Sequence, residues 1–189
     1  MKIKNNRFIF LAVIISAISC GKAYLPKPRG YMRFDLPQKE YRTFDCTGCP
    51  FKFEYPTYAT ITPQPGEPYW FNMDFPDYKS TLYLSYKTIN NNFGEILEDS
   101  HNFLFKHTVK ADDIREQEFY DPQKRISGFI FDIKGNVATS VQFYATDSVK
   151  HFLRGSLYFY CEPNKDSLAP LIDFFRRDIV ELVETLEFG

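Results

Sequence analysis

Reactive residues are scarce in this chain. Histidine occurs three times, cysteine four times and tryptophan once among 189 residues. There is no Gly-x-Ser-x-Gly turn, no phosphate-cradling glycine loop and no dinucleotide fingerprint. The usual starting points for acyl, phosphoryl and hydride transfer are therefore missing. Excess charge is missing too: 23 basic residues face 24 acidic ones, a formal net charge of −1. Such a balance lacks the basic footprint of a nucleic-acid binder. Long apolar runs are also absent. The stretch Phe8 to Ile18 spans eleven residues, short of the roughly 20 that cross a bilayer.

That short run is nevertheless informative. Lys2, Lys4 and Arg7 precede it, no acid occurs before Cys20, and small residues follow. A basic segment, an apolar segment of about 7–15 residues and a small-residue cut site make a secretory signal. Ala17-Ile18-Ser19-Cys20 resembles a bacterial lipobox, with Ala17 where that pattern prefers leucine. The reading predicts a signal peptide over 1–19 and acylation of Cys20 with palmitate-type chains. About 170 residues then remain, one domain's worth. Losing three basic residues leaves this remainder mildly acidic, so charge does not draw it to anionic lipid. The acyl chains must hold it, and at about 0.8 kcal/mol per buried CH₂ several chains make a stable tether.

Three cysteines are left, in a compartment that permits disulfides. Cys46-Thr47-Gly48-Cys49 has redox spacing, but thioredoxin-type chemistry places that motif at a helix N-terminus. Here Pro50 and the strand-like Phe51-Lys52-Phe53-Glu54-Tyr55 follow. Structural zinc needs four ligands, and no second pair stands at metal spacing. Cys46, Cys49 and Cys161 are thus expected to serve a structural disulfide, either local or from the Cys46–Cys49 loop to Cys161. Alternation along 153–161 puts Cys161 on one strand face with Leu153, Leu157 and Phe159, which also suits a buried thiol.

Residues 20–45 carry Pro26, Pro28, Gly30 and Pro37 and read as an extended arm. The arm fits a spacer, or a segment laid along the domain through Tyr31, Phe34 and Tyr41. Residues 46–189 then form a single domain. Strands are expected at Phe51–Tyr55 and Tyr69–Phe75, each closed by a proline, and at Thr81–Tyr86, where Leu82, Leu84 and Tyr86 share a face. Asn90-Asn91-Asn92 ends that strand and caps a helix from Phe93 to Val109, with Phe93, Ile96, Leu97, Phe103 and Leu104 as its apolar stripe. Strands follow over Arg125–Ile133, Val137–Thr146 and His151–Cys161, with Gly135-Asn136 as a hairpin turn. A long amphipathic helix is expected over Leu168–Phe188, capped by Asp166 or Ser167 with Pro170 in its first turn. The order predicts an α+β fold: a mainly antiparallel sheet flanked by two helices.

Chemistry is harder to find. His101 and His107 lie six apart on one helix, about 240° around it, so they do not chelate one metal together. His151 opens a strand alone. Asp112, Asp113, Glu116, Glu118 and Asp121 lack the Asp-x-Asp-x-Asp-Gly loop of a calcium site and read as a solvated stretch between helix and strand. No carboxylate pair stands out for glycoside chemistry. No metal, cofactor or catalytic residue is assigned, and no enzyme activity is expected. Aromatics make up 18% of the chain. Tyr69, Trp70 and Phe71 are the candidate binding face, an aromatic sheet surface suited to a small apolar ligand.

Several blocks carry a family resemblance. Leu25-Pro26-Lys27-Pro28-Arg29-Gly30-Tyr31, Cys49-Pro50-Phe51-Lys52-Phe53-Glu54-Tyr55 and Trp70-Phe71-Asn72-Met73-Asp74-Phe75-Pro76 resemble the gliding motility lipoprotein GldD family of Bacteroidota. So do Tyr86–Asn92, Gln142–Ser148 and His151–Tyr160. The resemblance implies a non-catalytic, lipid-anchored envelope protein of the gliding and type IX secretion machinery, with other proteins of that machinery as partners. It carries over one residue, Cys20. Gly21-Lys22-Ala23-Tyr24 lacks the acidic cluster that resembles a surface-export signal in these bacteria, which implies a domain facing the periplasm. The element order is also similar to the PsbP-like α/β/α sandwich, a likeness of fold alone.

Overall fold

A computed structural model describes residues 34–108, 111–160 and 165–189, which fall within one compact unit, Met32–Gly189. Ten strands, two helices and a 3-10 turn at Pro76–Tyr78 make up the described residues. In chain order they are β1 (Tyr41–Asp45), β2 (Phe51–Pro56), β3 (Thr60–Pro63), β4 (Phe71–Phe75), β5 (Ser80–Thr88) and α1 (Phe93–Thr108). There follow β6 (Ala111–Asp121), β7 (Ile126–Gly135), β8 (Thr139–Thr146), β9 (His151–Phe159), α2 (Lys165–Thr185) and β10 (Glu187–Phe188). Seven strands pair in the order β3-β4-β5-β9-β8-β7-β6, every neighbour antiparallel, and a small second sheet runs β1-β2-β10. The fold is α+β, as the sequence predicts, with the large sheet between two helices.

Period-two alternation sends side chains to opposite faces of the sheet, and each face meets a different helix. Met73 and Phe75 of β4, Leu82 and Leu84 of β5, Leu153 and Leu157 of β9 and Phe143 of β8 meet α2 through Phe174, Phe175, Ile179 and Leu182. The other face presents Phe131, Ile133, Tyr144 and Phe152 to Ile96 and Leu104 of α1, with Phe93 and Leu97 at the edge. All eight residues of β8 are buried because both of its faces are covered. Each such apolar side chain contributes about 1.5–3 kcal/mol when fully removed from water. At Gly155 of β9 the missing side chain is itself a packing requirement: a Cβ there would lie 2.1 Å from the Phe143 ring.

The structure revises four expectations. The stretch from Ala111 to Asp121 is no connecting loop but an edge strand paired with β7 over Ala111–Gly135 to Asp121–Ile126. Its exposed acids suit an edge, where charge opposes pairing with another chain. The β7–β8 connection is longer than a two-residue turn, the last pair being Asp132–Val141, with Gly135 at φ 127°. Helix α2 starts at Lys165, which moves Pro170 out of the first turn. It stops at Thr185, whose Oγ1 turns back to Glu181 O at 2.7 Å and accepts Glu54 N–H at 2.9 Å. Glu187 and Phe188 then pair with β2, which spacing on a helix does not reveal.

The boundary at residue 46 also moves. Tyr41–Asp45 pairs with Pro56–Lys52, and Phe34 packs against the main core. The segment from Phe34 onward is therefore part of the domain, and residues 21–33 lie outside the described ones. Lys39 explains the docking. Its ammonium reaches Asp178 Oδ1 at 2.6 Å and Phe174 O at 2.8 Å on α2, and lies 3.5 Å from the Phe174 ring centroid. The Asp178 carboxylate is 3% exposed and also accepts hydrogen bonds from Tyr41 at 3.0 Å and Tyr58 at 2.5 Å. Burial pulls the Lys39 ammonium below its ordinary 10.5, against the attraction of Asp178. Burial, aided by the carboxylate, raises both tyrosines, so they remain hydroxyl donors at any physiological pH.

A buried carboxylate left without its cation costs several kcal/mol. Lys39→Met is expected to lower unfolding stability by about 2–3 kcal/mol in urea titrations, less than for a fully buried pair because Lys39 is partly exposed. An unchanged midpoint would show that the tyrosines alone satisfy Asp178.

Candidate functional site

Tyr69, Trp70 and Phe71 do not share a face. Tyr69 has φ 62° and lies outside the strand, its ring edge-on to Tyr86 at 5.8 Å. Phe71 opens β4 and enters the main core against Phe44, centroid to centroid 5.0 Å. Only Trp70 turns to the opposite face, donating its indole N–H to Tyr86 O at 2.9 Å. On that face Trp70 is joined by Tyr83, Phe103 and Tyr158, and Tyr69 and Phe71 are not among the lining residues.

On the α1 side, the helix covers β6 to β9 but leaves much of β5 and β4 open. A cavity of about 350 Å³ lies in that opening, lined by Gln64, Trp70, Tyr83, Phe103, Arg154 and Tyr158 among others. The Tyr83 and Tyr158 rings meet edge to face at 5.4 Å. The Tyr83 hydroxyl shares a hydrogen bond with Tyr160. That bond, with burial, pushes Tyr83 up to about 12. Phe103 is displaced from the core stripe expected of it and instead faces Arg154, whose guanidinium carbon lies 4.3 Å from the ring centroid. Burial pulls Arg154 below its ordinary 12.5. Arg154 is the one Lys, Arg, Asp or Glu in the strand His151 to Phe159, and that lone charge is the signal the chain carries for it. Tyr83, Phe103 and Tyr158 gave none, because only the folded sheet brings them together.

A larger hollow, about 600 Å³, lies on the α2 side between Arg115, Asp132, Lys134 and Arg176. Two of its three cations are already paired. Arg176 donates to Asp132 at 2.6 Å and to Gln117 at 2.7 Å, and Lys134 meets Asp113 at 3.3 Å. Such internal compensation makes it the weaker site.

The cysteines and histidines separate. Cys46 and Cys49 form a disulfide, Cα to Cα 5.3 Å, in the turn between β1 and β2. Cys20 and Cys161 lie outside the described residues. His101 sits on α1 with Phe131 and Tyr144 rings each 6.3 Å away, and the His107 side chain lies outside the described residues. His151 is 3% exposed. Its Nδ1 shares a 2.8 Å hydrogen bond with Tyr86, and its ring stacks on Phe188 at 4.9 Å. Asp147, just before it, accepts backbone N–H groups of Val149, Lys150 and His151 at 2.8–3.0 Å. Among the described residues, no three His, Cys, Asp or Glu side chains are grouped to hold a metal.

The gliding motility lipoprotein GldD family matches residues 21–188. The chain belongs to this family. A search of curated proteins gave no match. Among solved structures the chain is similar to the cyanobacterial PsbP protein (CyanoP) of Synechocystis, at 10% identity and a TM-score of 0.48, covering 86% of this chain and 99% of that one. Among the described residues of this GldD-family chain, no helix is long and apolar enough to cross a membrane.

His151 generates a pH prediction. Burial holds its folded pKa below the ordinary 6.5, against the attraction of Asp147. The unfolded chain therefore binds the proton more readily. Stability from this group is complete above about pH 6.5 and falls as the pH drops through that value. Thermal unfolding midpoints are expected to decline between about pH 7 and 5, with a flatter decline in His151→Gln. Parallel profiles for the two proteins would rule out His151 as the source.

Proposed function

We propose that this GldD-family protein is a non-catalytic accessory of the gliding and type IX secretion machinery. Acyl chains on Cys20 hold it in the cell envelope, and its folded domain faces the periplasm, where it contacts other proteins of the machinery. The observation that carries the reading is the family match over residues 21–188, nearly everything after Cys20. The lipobox-like Ala17-Ile18-Ser19-Cys20 supplies the anchor. The mildly acidic balance supplies no electrostatic alternative to it.

A second reading is favoured by one specific feature. The aromatic cavity beside Arg154 has the size of a small-ligand site, about 300–1,000 Å³, and the protein would then bind a small molecule as part of its accessory role. Neither reading involves bond-making chemistry.

Deleting the gene is expected to abolish surface adhesin export and colony spreading. The wild-type gene restores both, whereas Cys20→Ser yields a protein released from the membrane fraction and fails to restore them. Normal export and spreading in the deletion strain would sink the motility reading, and a membrane-retained, fully complementing Cys20→Ser would sink the anchor. Protease added to intact cells is expected to spare the domain and to digest it once the outer membrane is permeabilised. Digestion on intact cells would place the domain on the surface.

A further inference from the structure

The groove on the α1 side carries a charge imbalance that the fold does not resolve. Arg154 projects from β9 beneath Phe103, and its guanidinium lies against that aromatic ring. The acid whose field it feels is Asp99, and Asp99 is engaged by Lys87 at 3.4 Å. A desolvated guanidinium without a bonded anion is costly, and it remains a five-donor fork that matches a carboxylate. One strand inward, Gln142 stands opposite Ser156 in the β8–β9 ladder. Directly opposed residues share a sheet face. Ser156 is buried and lines the groove. The Gln142 amide nitrogen is buried and donates to no partner. A buried donor thus stands behind Ser156, next to the groove and not in its lining.

The walls have a different character. Trp70, Tyr83, Phe103 and Tyr158 contribute ring surface around a space of about 350 Å³. Flat apolar walls with a cation at one end select a ligand with a flat apolar body and an anionic end. We propose that this groove binds a small organic acid: a carboxylate received by Arg154, carried on an aromatic or similarly flat group held among Trp70, Tyr83, Phe103 and Tyr158. The proposal deepens the second reading above, naming the class of ligand, and it stands or falls separately from the motility phenotype. The large hollow on the α2 side offers no equivalent: Arg176 is already bound to Asp132, and no aromatic ring lines it among the described residues.

Trp70 is the chain's one tryptophan, so its indole N–H gives a single reporter signal inside the groove. Residues 21–189 contain the whole compact unit from Met32 with its hydrophobic clusters and serve as the test protein, which avoids probe partitioning into detergent. Phenylacetate is titrated against phenylacetamide, which has the same ring and no charge, while the Trp70 indole resonance is followed by NMR. A saturable shift with the acid, at least about tenfold tighter than with the amide, is expected for a charge-assisted bidentate contact. In Arg154→Gln the two probes are expected to bind within about twofold of each other. The acid–amide comparison in the unaltered protein decides the matter by itself should that variant fail to fold. Absence of a saturable shift up to about 10 mM acid, or equal binding of acid and amide, would overturn the proposal. Tighter binding of the capped peptide acetyl-Phe-Glu-amide than of phenylacetate would overturn the small-acid assignment in favour of a protein segment.

Discussion

The carboxylate of Asp178 sits on the buried side of α2, among the side chains that cover the large sheet. A bare carboxylate there is prohibitive, and every partner that satisfies it comes from the N-terminal part of the domain: Lys39, Tyr41 and Tyr58. This one requirement fixes much of the architecture. Tyr41 begins β1, Tyr58 lies between β2 and β3, and Lys39 leads into both. Satisfying Asp178 thus brings the start of the domain onto its last long helix. Replacing such a network by apolar residues is often neutral in stability, and its evident contribution here is register: three donors from three places converge on one residue. Beside them, β10 closes the small sheet on β2, so both ends of the domain meet in one layer.

With that end of the molecule fixed, the two faces of the large sheet have different fates. The α2 face is covered by the long helix and the small sheet except at the hollow beside Arg115 and Arg176, and it holds the main core. The other face is only partly covered. Helix α1 packs over Phe131, Tyr144 and Phe152, and past Phe103 the sheet remains open. The residues exposed there are not merely polar. Rings from β5, β9 and the entry to β4 surround a cationic strand residue, and that combination distinguishes the groove from an ordinary solvated face. The groove is backed by the core on the opposite side of the sheet.

The predicted elements with a clear repeat were the ones the structure kept. Alternation at Leu82, Leu84 and Tyr86 marked β5, and the 3–4 spacing from Leu168 to Leu186 marked α2, because each pattern reflects one buried face. Elements without such a face were invisible. β6 is acidic on both sides and becomes a strand only because β7 offers it an edge. β1 and β10 are short and owe their pairing to β2. Tyr69, Trp70 and Phe71 looked like one surface in the chain, yet alternation and a left-handed backbone at Tyr69 send them three ways. The groove's actual members are spread from residue 64 to residue 158; Trp70 was the one legible as a binding residue, and Arg154 left only the trace of a lone charge in its strand.

The sequence by itself therefore determined the class of fold, the family and the candidate anchor at Cys20, since local periodicity and contiguous motifs carry that information. Tertiary structure alone decided where the domain begins, which cation neutralises Asp178, and which rings surround Arg154. Those outcomes depend on long-range pairing and burial: Lys39 and Asp178 meet across 139 positions, a separation no window along the chain can span.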